Sequence, residues 1–190
     1  MPIVPDDKDW TWVLDKPCPE CGFDGPATAY EAVPGLVRDA ATRFGAVLER
    51  PNVAVRPDGS TWSPLEYAAH VRDVCRMFVY RLDITLGKPA QPPAIAAFGA
   101  EVGEADGLPV FENWDQDVTA EVGRYHEQDP ATVATELTEA AETVSRAFES
   151  VPAADRGRAS RRSNGSLFTV DSMSRYFVHD LIHHLHDVRG

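Results

Sequence analysis

Trp62-Ser63-Pro64-Leu65-Glu66-Tyr67-Ala68-Ala69-His70 is the stretch on which the reading of this chain turns, because it opens a helix with three start signals at once. Ser63 can cap the helix N-terminus, and Pro64 suits a first turn whose N–H groups have no helical partner. Glu66, three residues after the serine, completes a capping box. Val74 and Phe78 continue the helical spacing of Tyr67 and His70, and Gly87 followed by Pro89 predicts the far end. His70 falls in the second turn of this helix and should point into a core.

Upstream, Val33, Leu36, Val37, Ala40, Phe44, Val47 and Leu48 form one apolar helical stripe, with Pro34 acceptable in the first turn. Residues 51–60 hold two prolines and Asp58-Gly59, which predict a turn-rich connection. Downstream, residues 88–107 are rich in Pro, Ala and Gly, and Phe111-Glu112-Asn113-Trp114-Asp115-Gln116-Asp117 leads into a short helix reaching His126. Asp129-Pro130 repeats the cap-then-proline start for a helix lined by Val133, Leu137, Ala140, Ala141, Val144 and Phe148, ending before Pro152. A basic loop follows, with Arg156, Arg158, Arg161, Arg162 and Asn164-Gly165. The last helix starts near Thr169 or Asp171 and carries Met173, Tyr176, Phe177, Leu181 and Leu185. Four long helices and no period-two alternation predict an all-α fold, a four-helix bundle over residues 30–190 with a long crossover and an irregular N-terminal arm over 1–29.

The chain has 190 residues, enough for one core. Its formal net charge of -12 repels phosphate backbones and anionic membrane surfaces, so no nucleic acid and no membrane is expected as a partner. No run approaches the roughly 18 apolar residues of a membrane span, and the acidic start lacks the basic, then apolar, pattern of a secretory leader. A cytoplasmic protein with a small-molecule substrate, monomeric or homodimeric, is the expectation. The three cysteines cannot all pair within one chain, which suits a reducing compartment.

Four of the six histidines crowd into His179-Asp180-Leu181-Ile182-His183-His184-Leu185-His186. Side chains four apart on a helix share a face, so His179 and His183 can aim their imidazoles at one ion. Two ligands hold a metal weakly, and His70 is the candidate third, giving a metal site of His70, His179 and His183. Three imidazoles leave coordination positions open, as reactive rather than structural sites do. His184 points elsewhere on the helical wheel and is left out, with His186 in reserve. Asp73, Asp180 and Asp187 are either surface charge or carboxylates that orient a ligand imidazole.

The Trp62 to His70 string and Tyr176-Phe177-Val178-His179-Asp180-Leu181-Ile182-His183-His184 together resemble the DinB-like superfamily, which includes mycothiol-dependent maleylpyruvate isomerase and thiol transferases. The likeness covers about residues 30 to 190. Trp114-Asp115-Gln116-Asp117 also resembles a stretch of actinobacterial-type members. The resemblance implies an up-down-down-up four-helix bundle with a metal on three histidines, matched here by His70, His179 and His183.

A divalent ion on imidazoles lowers the pKa of bound water or takes a thiol as thiolate. The expected function is a metal-dependent transferase or isomerase that activates a low-molecular-weight, mycothiol-like thiol for attack on an electrophile. Metal-dependent hydrolysis is the alternative, and a non-catalytic metal- or small-molecule-binding module the third reading. Zinc is the default ion, though nickel, iron and manganese also suit. Arg161 and Arg162 could hold carboxylates of the thiol or substrate, or simply balance an acidic surface. Cys18-Pro19-Glu20-Cys21-Gly22 looks like half a zinc ribbon without its other half. It is read first as two free thiols, and otherwise as a second zinc site completed by histidine or Cys75, or as thiols lying over the bundle site.

Overall fold

In the computed structural model the capping box at Ser63 forms as its spacing predicts: the Glu66 N–H donates to Ser63 Oγ and the Ser63 N–H to Glu66 Oε2. The structure describes residues 9–190, so the acidic start of the arm, residues 1–8, lies outside the described residues. The bundle is made of α1 (Val33–Leu48), α2 (Pro64–Thr85), α4 (Pro130–Glu149) and α5 (Val170–Asp187), with a short α3 (Gln116–Val122) in the crossover. Asp129 and Thr169 cap α4 and α5 through their side chains. Gly87, at φ +66°, closes α2 where a left-handed residue is needed.

Around the bundle, α2 packs on α4, α4 on α1, α1 on α5, and α5 back on α2, which leaves α4 and α5 on a diagonal. The apolar stripes meet at its centre, where Phe177 packs at a tilt on Phe78 at 4.7 Å and stacks on Phe148 at 5.7 Å. Each such ring removed from water contributes roughly 1.5–3 kcal/mol.

The expectation of a strictly all-α fold is corrected. A four-stranded sheet, β1 (Val102–Ala105), β2 (Leu108–Phe111), β3 (Ala159–Arg162) and β4 (Leu167–Thr169), lies at one end of the bundle in the order β1-β2-β3-β4. The turn between β1 and β2 is Asp106-Gly107, both at positive φ (53° and 74°), the backbone that matches strand twist in a two-residue hairpin. Asn164-Gly165 turns β3 into β4, so Arg161 and Arg162 belong to a strand and not to a loop. Strands of three and four residues are too short to display the alternation that sequence reading relies on. A parallel β2–β3 pairing, Val110 with Arg161 and Phe111 with Arg162, joins the crossover to the segment before α5. It is extended by the Ser163 N–H to Phe111 O and the Asn113 N–H to Ser163 Oγ, at 2.9 and 2.8 Å.

The described part of the arm packs on α5. Val13, in a 3-10 turn (Thr11–Leu14), is fully buried, and Gly25 passes so close to it that a Cβ would collide with the Val13 carbonyl. No helix among the described residues is long and apolar enough to cross a membrane.

Candidate metal centre

The three histidines expected at one ion, His70, His179 and His183, fall into two groups. Among the described residues, His70, Asp180 and His184 bring one ligand atom each within 4.8 Å of one another, and Cys18, Cys21, His179 and His183 do the same. The structure therefore places His70 with the α5 face one residue round from His179 and His183. Both pairs on α5 are spaced i, i+4, so one helix presents two adjacent ligand faces about 100° apart.

His70 is buried on α2 with its ring parallel to Trp114 at 5.2 Å and edge-on to His184 at 4.9 Å. Its Nε2 lies 3.6 Å from Asp180 Oδ2, beyond hydrogen-bond reach. Both His70 nitrogens and Asp180 Oδ2 are buried without a hydrogen-bond partner. Burial pushes the His70 pKa down, so the imidazole is neutral and its lone pair available. His184 points Nε2 at Asp180 Oδ1, 3.7 Å away, because its Nδ1 bonds Asp187 Oδ2 at 2.9 Å. A carboxylate behind a ligand imidazole fixes its ring and tautomer in this way. Burial would push the Asp180 carboxyl up, but the imidazoles of His184, His70 and His179 outweigh it and hold it low. A buried imidazole with no partner, a carboxylate oxygen with none and a braced second imidazole fit a divalent cation.

Asp180 and His184 open on a cleft of about 600 Å³ between α5, the crossover and the arm, lined also by Trp10, Trp114, Asp117, Arg162, Tyr176, His179 and His183. A smaller cavity of about 70 Å³ continues beneath His70 and Asp180 to Arg81, Arg162 and Tyr176. Arg81 is 4% exposed; it donates to Glu112 O at 3.2 Å and lies over Phe111 at 4.7 Å. Neither Arg81 nor Arg162 has a carboxylate partner within ion-pair distance among the described residues. Burial, then the charge of Arg162, pulls the Arg81 pKa down to about 9. Arg162 is held by Asn164 Oδ1, the Tyr176 hydroxyl and Ser166 Oγ. Arg161, its expected companion, instead bonds Gly165 O at 3.1 Å and faces Asp106 at 3.5 Å, and does not line the cleft.

In the other group, Cys18 Sγ lies 3.7 Å from His183 Nδ1. Trp10 packs on His179 and His183, and Phe23 on His179. Burial pushes the His179 pKa down to about 4, with His183 adding to it. Cys75 is buried on α2 and belongs to neither group. His186 also joins neither.

Sequence reasoning set His184 aside and took Asp180 for an orienting or surface carboxylate, since it sought a third histidine rather than a mixed set. The signal was present: Asp180 and His184 repeat the i, i+4 spacing one position along. What the sequence could not supply is the rotation of α5, which decides the face that His70 meets.

No curated protein matches the chain. Among solved structures it is similar to YfiT from Bacillus subtilis, "a probable metal-dependent hydrolase with an unusual four-helix bundle topology", with a TM-score of 0.62 and 12% identity over 83% of this chain and 82% of that one. At that identity the likeness speaks for the fold. A family model of the DinB superfamily matches residues 7–188. Nearly the whole chain is thus accounted for by one family, and the protein belongs to the DinB superfamily.

Proposed function

We propose that this protein is a metal-dependent enzyme in which His70, Asp180 and His184 hold one divalent ion, and that it transfers a low-molecular-weight thiol to an electrophile bearing a carboxylate or similar anion. The observation that carries the reading is the position of the His70–Asp180–His184 group: both His70 nitrogens and one Asp180 oxygen are buried without hydrogen-bond partners, while Asp180 and His184 face a cleft of about 600 Å³. A structural ion is normally closed off by four protein ligands, whereas three ligands and a cleft suit catalysis. An ion held there supplies Lewis-acid chemistry that makes a thiol or water nucleophilic near neutral pH.

The remaining work falls to the chain. Arg81 and Arg162, side by side without carboxylate partners, offer planar donor forks to an anionic group and would fix the substrate beside the metal ligands. Trp114 and Trp10 provide apolar walls that exclude water from part of the cleft. Zinc suits two imidazoles and a carboxylate, as do nickel, iron and manganese.

Hydrolysis is the second reading, favoured by the Asp117 carboxylate on the cleft wall, which could accept a proton from attacking water. Both reactions are measurable on one preparation. Purified protein loaded with zinc is given a small thiol with a carboxylate-bearing electrophile, and separately an anionic ester. Turnover should vanish with a chelator and in His70→Ala, and Arg81→Leu should raise KM for the anionic substrate. Equal rates with and without chelator end the proposal, and turnover of the ester alone replaces transfer by hydrolysis.

A further inference from the structure

We propose that Cys18, Cys21, His179 and His183 form a second, four-ligand zinc(II) site that staples the N-terminal arm to α5, separate from the His70 group.

Two thiols and two imidazoles are the donor set of a closed tetrahedral zinc centre. Zinc–sulfur bonds near 2.3 Å and zinc–nitrogen bonds near 2.0–2.1 Å at tetrahedral angles put a sulfur and a nitrogen ligand about 3.6 Å apart. Cys18 Sγ and His183 Nδ1 stand at 3.7 Å, and all four ligand atoms lie within 4.8 Å of one another. The cysteine loop is shaped for this. The Cys18 N–H donates to Phe23 O at 2.8 Å and the Gly22 N–H to Cys18 O at 2.9 Å, and Gly22 takes φ +76°, so the chain doubles back. That tight turn presents both sulfurs to one point.

The histidines, one turn apart on α5, face this loop. His179 Nε2 is buried without a partner. His183 turns Nδ1 towards Cys18 and Nε2 towards Glu20 and Asp187, at 3.6 and 3.9 Å, the carboxylate-backed arrangement of a metal-bound imidazole. Trp10 and Phe23 roof the group with ring contacts of 4.8 to 5.7 Å. Two thiolates would neutralise the charge of a divalent ion, which a half-buried site requires. With all four places taken by protein, the ion acts structurally: it fixes residues 9–25 against α5 and with them Trp10, one wall of the cleft.

The decisive experiment counts metal and reads the sulfur ligands. Full-length protein loaded with zinc and dialysed should carry two ions per chain, and one in His70→Ala and in Cys18→Ser/Cys21→Ser. Cobalt(II) substitution should give a near-ultraviolet sulfur-to-metal charge-transfer band in the unaltered chain and in His70→Ala. Because those two proteins keep both cysteines, their spectra decide the question even if the cysteine variant fails to fold. Absence of the band from both, or unchanged metal content in the cysteine variant, overturns the site. If His70→Ala keeps two ions while the band persists, the catalytic reading fails alone and this one stands.

Discussion

Asp73 shows how much of this protein rests on single side chains. Its carboxylate is buried and accepts from Arg72 Nε at 2.8 Å, from Arg76 at 3.0 Å and from the Tyr125 hydroxyl at 2.6 Å. Arg72 is almost as deeply buried and reaches on to Gln128 and Glu136, tying α2 to α4 and to the end of the crossover. Removing one member of such a group leaves a buried charge without its partner. Asp73→Ala should therefore cost about 3–5 kcal/mol in urea unfolding, against roughly 1–3 kcal/mol for Tyr125→Phe, which removes one hydrogen bond and leaves the ion pairs in place. Asp73 was also the residue most easily misread from sequence. It lies three positions past His70 and suits a metal-orienting role on spacing alone, yet its partners are Arg72, Arg76 and Tyr125. Sequence spacing fixes which residues share a helical face; it does not say what stands opposite.

At the level of elements, helix boundaries followed the local chemistry closely. Ser63, Asp129 and Thr169 cap α2, α4 and α5, and Gly87 stops α2, because caps and stops are decided within a few residues of chain. The sheet was hidden for the converse reason. Its central β2–β3 pairing joins residues about fifty positions apart, and its short strands show no period that single-chain patterning can detect. The start of α2 also carries a pH dependence. Burial would push the Glu66 carboxyl up, but the Arg56 guanidinium and the Ser63 hydrogen bonds outweigh it and hold it below its ordinary value of 4.5. The unfolded chain then binds the proton more readily, so this contribution is complete above about pH 4.5 and is lost as pH falls through the lower folded value. Unfolding free energy measured between pH 6 and pH 3 should fall less steeply in Glu66→Gln than in the unaltered protein; equal slopes would contradict the assignment.

For the whole molecule, the bundle, its long crossover and the clustering of candidate ligands on α5 were legible from sequence, whereas the partition of those candidates was not. That partition needs the arm, whose Cys18-x-x-Cys21 turn meets α5 only in three dimensions. Both groups would bind ions in the folded chain and far more weakly in the unfolded one, so metal should act as a folding ligand. At about 100 times its dissociation constant one ion adds roughly 2.7 kcal/mol. For a chain of this size that corresponds to about 5–10 °C in melting temperature. Thermal scans at rising zinc concentration should show this climb, with a smaller rise in His70→Ala and in the cysteine variant than in the unaltered chain.

Asp187 stands at the last turn of α5 with one oxygen bonded to His184 and the other 3.9 Å from His183. A single carboxylate is thus a common buttress for one imidazole of each group, and the two cannot drift independently. Whatever loosens that acid, be it substitution, protonation or fraying of the helix end, is felt on both faces of α5 at once.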